Sequence, residues 1–150
     1  MKLERRCRRE GCLAMNVIEA IEIIRSRLKS SDGDAKVPLL KGGKTFRARL
    51  VDAGIEVDNL AGQPFLPWAA FQEAICVMIR NHGKATRGDA MNSRLGEPGL
   101  PLDSIEGHIA QIVYGKQPGD AVFRRITPVA CILIWAGICR AGPGTLELLD

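Results

Sequence analysis

The 150-residue sequence predicts an α+β fold in which helices and short β-hairpins share one core. In several segments, apolar residues recur every three or four positions, which is typical of helices with one buried face. In other segments they alternate with polar residues, which is typical of strands. The composition agrees with a folded chain, because 46% of the residues are apolar and 25% are charged.

Charge and composition divide the chain into three parts. Residues 1–14 carry five basic and two acidic side chains and no apolar run, so we expect a disordered basic leader. Residues 15–64 predict a lobe of one helix and a β-hairpin, and residues 65–150 predict a second lobe that forms one compact domain with it. From residue 15 onward the chain holds 16 basic and 15 acidic residues. The net charge of +4 therefore mostly reports the leader.

The first lobe begins with an amphipathic helix, predicted from Asn16 to about Lys29. Asn16 can cap this helix, and Glu19 stands at the position of the reciprocal partner in a capping box. The buried stripe of the helix is expected to be Val17, Ile21, Ile24 and Leu28. A polar loop that extends to Lys36 should follow.

A β-hairpin completes the first lobe. From Lys44 to Leu50, apolar residues alternate with threonine and arginine, which predicts a strand with one buried face. Residues 52–54 form a turn, and the alternation resumes at Ile55 and Val57 in the returning strand.

The second lobe opens with three predicted helices. Their expected spans are 68–81, 86–95 and 103–114. The short middle helix would be capped by Thr86 with Asp89, and the third by Asp103 with Glu106 as its reciprocal partner.

The C-terminal segment contains the most ambiguous pattern of the chain. Residues 122–126 indicate a short strand, and Thr127 and Pro128 suit a helix cap and first helical residue. The following run, VACILIWAGIC, has the β-branched content of a buried strand and the cap and length of a buried helix. We expect a helix there, followed by a terminal hairpin over 138–149.

The sequence carries no recognisable reaction centre, so we predict no catalytic residue, no metal and no cofactor. The five cysteines include no C-x-x-C pair, and neither His82 nor His108 has a Cys or His three or four residues away. The alternative of an enzyme would use His108 with Glu106 or Asp103 as an acid–base pair.

The order of elements in 65–150 is that of a winged helix-turn-helix with an added helix. The stretch 132–148, ILIWAGICRAGPGTLEL, resembles the final helix and wing of such domains, with 142–144 as the wing tip. In particular, it resembles the winged-helix segment that precedes the catalytic domain in Mrr-type restriction proteins. The resemblance implies a helix-and-hairpin core suited to binding a partner such as DNA.

These observations favour a non-catalytic binding protein with double-stranded DNA as its candidate partner, bound by a groove-reading helix and phosphate contacts. The candidate nucleic-acid-binding residues are Arg80, Lys84, Arg87, Asn92, Arg94, Arg124, Arg125 and Arg140. Against DNA, residues 65–150 hold eight basic and eight acidic side chains, whereas DNA-binding modules usually carry a basic excess. A protein-interaction or oligomerisation module is therefore an alternative, as is an apolar small-molecule pocket lined by Trp68, Phe71 and Trp135.

The chain as a whole resembles small proteins of unassigned function that are encoded by integron gene cassettes. The stretches that carry this resemblance are PFLPWAAF, GKATRGDAMN, LPLDSIEGHIA and VFRRITP. The resemblance implies a mobile bacterial gene, a cytoplasmic product and a homo-oligomer. No membrane partner is expected, because the longest apolar run is far shorter than the roughly 20 residues that a membrane helix needs.

Overall fold

A computed structural model describes residues 16–149, which form four helices and two antiparallel sheets and so confirm the α+β class. The N-terminal lobe, taken here as residues 16–67 because β4 pairs with β3, contains α1 (Val17–Ser30), β1 (Asp34–Pro38), β2 (Thr45–Val51), β3 (Gly54–Val57) and β4 (Phe65–Pro67). The C-terminal lobe contains α2 (Trp68–Arg80), β5 (Lys84–Thr86), α3 (Ile105–Ile112), α4 (Ile126–Trp135), β6 (Cys139–Gly142) and β7 (Thr145–Leu148). One hydrophobic cluster extends through both lobes. The predicted leader, 1–14, lies outside the described residues.

Helix α1 confirms the capping box that the sequence predicts. The Asn16 side chain accepts a hydrogen bond from the Glu19 backbone N–H at 2.9 Å, and the Glu19 carboxylate accepts one from the Asn16 N–H at 3.1 Å. The buried face of the helix consists of Val17, Ala20, Ile21, Ile24 and Leu28. These two bonds fix where the helix begins, and its apolar face seats it on the core.

The first sheet is a four-stranded antiparallel meander in the order β1-β2-β3-β4. Its β2–β3 hairpin confirms the predicted one. The expected polar loop up to Lys36 is wrong, because Asp34–Pro38 pairs with β2 as a strand. Ala35 and Val37 point into the core while Lys36 faces solvent, so the two buried positions hold this segment in the sheet despite its polar composition.

The second sheet has the strand order β5-β7-β6 and confirms the predicted terminal hairpin. Strand β5, between the first two helices of the lobe, pairs with β7 and ties the hairpin back to them. The ambiguous apolar run is helical through Trp135, so the preferred interpretation is correct.

Two predicted elements of the second lobe are wrong. No helix forms over 86–95, where β5 ends at Thr86 and a series of turns follows. Asp89 instead caps a turn by accepting the backbone N–H groups of Met91 and Asn92 at 3.1 and 3.2 Å. Residues 122–125 form no strand, because the chain turns directly into α4 at Ile126.

The predicted helix caps in this lobe also need correction. Helix α3 is capped by Ser104 rather than Asp103, because the Ser104 hydroxyl accepts the Gly107 N–H at 3.1 Å. Glu106 is buried, and its Oε1 accepts the backbone N–H groups of Arg125 and Ile126, each at 2.8 Å. A side chain from α3 therefore closes the start of α4, where the sequence predicts a local cap.

Helix α4 is enclosed by the rest of the fold. Its buried residues are Ile126, Pro128, Val129, Ala130, Cys131, Ile132 and Leu133. It packs against β1 of the N-terminal lobe and against α2. Within 16–149, no helix combines the length and the apolar character that crossing a bilayer would require.

Candidate functional site

A cleft of about 780 Å³ lies between the two lobes. The loop after β1 forms one wall, and the turns after β5 form the opposite wall. The start of α4 and the tip of the β6–β7 hairpin, at Gly144, complete it. A volume of this size is typical of ligand-binding clefts.

Three cationic side chains line this cleft: Lys41 from the N-terminal lobe, and Arg87 and Arg124 from the C-terminal lobe. Arg87 donates to the backbone carbonyl of Thr145 at 3.3 Å, which holds its guanidinium beside the hairpin. Arg124 is exposed and lies 2.8 Å from the Met91 sulfur, measured from its Nη1. The cleft thus combines cations from both lobes at one concave surface.

One carboxylate, Asp89, shares the cleft with these cations. The Asn92 side-chain amide donates to it at 3.0 Å, and this hydrogen bond lowers the pKa of Asp89 below its usual value. Asp89 is therefore ionised at neutral pH, and three cations face one anion. The cleft carries a local positive excess that suits an anionic ligand.

Three of the predicted nucleic-acid-binding residues, Arg87, Asn92 and Arg124, come together in this cleft. Lys41 was missed, because it belongs to the other lobe and no local pattern relates it to them. The sequence signal that could have drawn attention to it is its place in the loop between two strands, Lys41-Gly42-Gly43-Lys44.

Four other predicted contact residues do not line the cleft. Arg140 is paired with Glu147 at 2.9 Å across the terminal hairpin. Arg94 is exposed and donates to the Gly119 carbonyl at 3.2 Å, and Lys84 is exposed on β5. Arg80 contacts His108.

Arg125 occupies a position that the sequence-based interpretation did not foresee. The residue is only 4% exposed, and its guanidinium lies 3.6 Å from the centre of the Tyr114 ring and 4.9 Å from that of Phe123. It also donates to Gln63 and to the Phe123 carbonyl. Its charge is used inside the protein by cation–π contacts and hydrogen bonds, so we correct its assignment as a phosphate contact.

A second, smaller pocket of about 420 Å³ borders α2 and α3. His108 Nε2 lies 2.7 Å from Glu73 Oε1, and both side chains are 7% exposed. Arg80 Nη2 lies 3.3 Å from His108 Nδ1. Because arginine can only donate, Nδ1 accepts, and the ring proton resides on Nε2, which donates to Glu73. A neutral imidazole thus bridges a carboxylate and a guanidinium.

The lining of this pocket can be compared with the alternative prediction, in which His108 forms an acid–base pair with Glu106 or Asp103. Asp103 does share the pocket with His108, but the carboxylate bonded to the ring is Glu73, and Glu106 binds the start of α4 instead. The lining includes no serine, threonine or cysteine that could serve as a nucleophile. The partner of His108 escaped sequence analysis because Glu73 lies 35 positions away on another helix.

Cys139 and three aromatic side chains belong to the packing of the core. Phe71 is fully buried in the core, and Trp68 and Trp135 pack against the same core cluster. Neither of the clefts described above is lined by these three residues. Burial raises the pKa of Cys139 to about 12, which keeps its thiol protonated. In the part of the chain that the structure describes, no three His, Cys, Asp or Glu side chains cluster as metal ligands would.

Comparisons with protein-family models, with curated proteins and with solved structures found no match.

Proposed function

We propose that the protein is a non-catalytic, winged-helix-like binding protein that holds nucleic-acid phosphates in the cleft between its lobes, with double-stranded DNA as the partner. The observation that carries this proposal is the convergence of Lys41, Arg87 and Arg124 in one cleft beside the hairpin tip at Gly144. Lysine and arginine are the side chains that most often contact phosphate oxygens in such complexes.

The arrangement of the C-terminal lobe supports the winged-helix part of the proposal. Its elements follow the order helix, strand, helix, helix, strand, strand, and the terminal hairpin is held in a three-stranded sheet by β5. This order places the hairpin tip at the cleft, where a wing would contact the backbone of a bound duplex.

The burial and pairing of charges explain how a lobe of zero net charge can have a positive cleft. Although residues 65–150 are neutral overall, Arg140 is paired with Glu147 and Arg125 is buried. Among the acidic residues, Glu73 and Glu106 are buried as well. These charges largely balance one another away from the cleft, so the cleft is locally positive in a lobe of zero net charge.

The proposal is tested by fluorescence anisotropy with a labelled 20-base-pair duplex over a series of salt concentrations. We expect the double variant Arg87→Ala/Arg124→Ala to bind more weakly and to reduce the slope of log K against log salt by about two. The matched control is Lys29→Ala/Lys36→Ala, which removes two exposed charges from the other lobe and should reduce the affinity much less. Equal affinities for wild type and the arginine variant would overturn the proposal.

A second candidate ligand is a small phosphate-bearing molecule. The apolar side chains of Leu39, Leu40 and Ile126 also line the cleft, as in many small-molecule sites. Thermal shift against a panel of nucleotides and sugar phosphates tests this candidate, because a ligand that binds only the folded state raises the melting temperature. A flat panel would exclude it.

The predicted homo-oligomer stays a prediction, which light scattering on the purified chain can check.

A further inference from the structure

We infer that the cleft recognises duplex DNA by its phosphates and does not read base sequence. This inference rests on the proposed function and deepens it by defining the class of partner. Three features of the structure carry it: the composition of α4, its enclosure by the N-terminal lobe, and the hydrogen bonds that Asn92 and Arg87 already make in the cleft.

Helix α4 lacks the side chains that read base edges. In helix-turn-helix modules the second helix of the motif enters the major groove, and Arg, Lys, Asn and Gln make the specific contacts there. In this chain α4 corresponds to that second helix, and its sequence, ITPVACILIW, contains none of these residue types. Its only hydroxyl belongs to Thr127, and threonine discriminates poorly between bases.

The N-terminal lobe also occupies the space that a DNA groove would need. Strand β1 packs against α4, and the Arg27 guanidinium of α1 lies 4.7 Å from the centre of the Trp135 ring at the far end of the helix. Because one hydrophobic cluster includes buried residues of α1, β1 and α4, exposing α4 would open the shared core. The first lobe thus covers the helix and at the same time supplies Lys41 to the cleft.

Two polar side chains of the cleft that could contact bases already make hydrogen bonds within the protein. The Asn92 amide donates to Asp89, and one guanidinium nitrogen of Arg87 donates to the Thr145 carbonyl. The free N–H groups of Arg87, together with Arg124 and Lys41, still suffice for phosphate oxygens, which accept from many directions.

The inference is tested with three 20-base-pair duplexes of A·T-rich, G·C-rich and mixed sequence, and by selection from a randomised duplex pool. We expect dissociation constants within about threefold of one another, equal salt slopes and no enriched motif after selection. Thr127→Val, which removes the only hydroxyl of α4, should leave the ratios between the three affinities unchanged.

A preference of tenfold or more for one duplex, or a recurrent motif in the selected pool, would overturn the inference while leaving the proposed function intact. If no duplex binds at 50 mM salt, the proposed function itself fails, and the inference fails with it.

Discussion

The cleft between the lobes and the interface between α2 and α3 both gather charged side chains, but they use them differently. In the cleft, Lys41 and Arg124 are exposed, and three cations face a single carboxylate. In the interface, Glu73 and His108 are buried and bonded to each other. Charged residues buried with a partner stabilise or specify the fold, whereas exposed unpaired cations are available to a ligand.

This difference predicts which property a substitution changes. Removing one partner of the buried pair in the interface should affect the free energy of unfolding, because it leaves the other polar group buried without its hydrogen bond. Removing a charge from the cleft should affect binding and leave stability nearly unchanged.

The largest effect is expected for His108→Ala. The substitution leaves the Glu73 carboxylate buried without its hydrogen-bond donor, and we expect a loss of about 3–5 kcal/mol in chemical denaturation. The control is the double variant Glu73→Leu/His108→Leu, which removes both partners of the hydrogen bond and should recover much of that loss. A loss below about 1 kcal/mol for the single variant would contradict this role of the pair.

The second effect depends on pH and concerns Glu106. Burial raises the pKa of this carboxyl to about 7, from an ordinary value of 4.5, so the folded state binds the proton more tightly than the unfolded state. The contribution of Glu106 to stability is therefore most favourable below pH 4.5 and decreases as the pH rises towards 7. The full change is on the order of 3 kcal/mol.

Glu106→Gln mimics the protonated carboxyl and cannot ionise. We expect its stability to exceed that of the wild type by more at pH 8 than at pH 5, as measured by denaturation at both values. If the difference between the two proteins is the same at pH 5 and pH 8, the assigned titration is wrong.

A smaller effect is expected for Arg125→Lys. Lysine keeps the charge but loses the planar guanidinium that lies against Tyr114 and the fork that donates to Gln63 and the Phe123 carbonyl. The expected loss is about 1–2 kcal/mol by thermal or chemical denaturation. A variant as stable as wild type would show that charge alone is required at this buried position.

The smallest effect on stability is expected for Arg87→Ala/Arg124→Ala, the variant designed to weaken binding. Its loss should stay below about 1 kcal/mol, because within residues 16–149 neither guanidinium forms an ion pair with a buried carboxylate. A loss as large as that of His108→Ala would remove the distinction between the cleft and the interface.

The sequence predicted those elements whose signals are local. The capping box at Asn16 and Glu19 lies within one helical turn, and the alternation from Lys44 to Leu50 reports one buried strand face. The terminal hairpin was predicted for the same reason. In each case the residues that specify the element are neighbours in sequence.

The errors arise where the decisive partner is distant. Asp34–Pro38 carries charged residues at two of its five positions and becomes a strand because β2 supplies an edge for it. Glu106 replaces a predicted local cap of α4 by reaching backbone groups 19 and 20 positions further on. Sequence periodicity carries no information on such contacts.

The candidate site was only partly predictable for the same reason. Residue type suggested Arg87, Asn92 and Arg124, which the fold brings together in the cleft. Residue type also suggested Arg125, which the fold buries against Tyr114. A basic side chain in the sequence thus identifies a charge, and only its surroundings determine whether a ligand can reach it.

The most direct test of the central claim is an ¹H–¹⁵N chemical-shift titration of the whole chain with a 20-base-pair duplex. We expect the largest shifts at backbone amides that border the cleft, such as those of Gly88, Gly99 and Gly144, and little change at Gly107 and Ile109 of α3. Shifts centred on α3, or none at a duplex concentration well above that of the protein, would contradict the claim that the cleft between the lobes is the binding site.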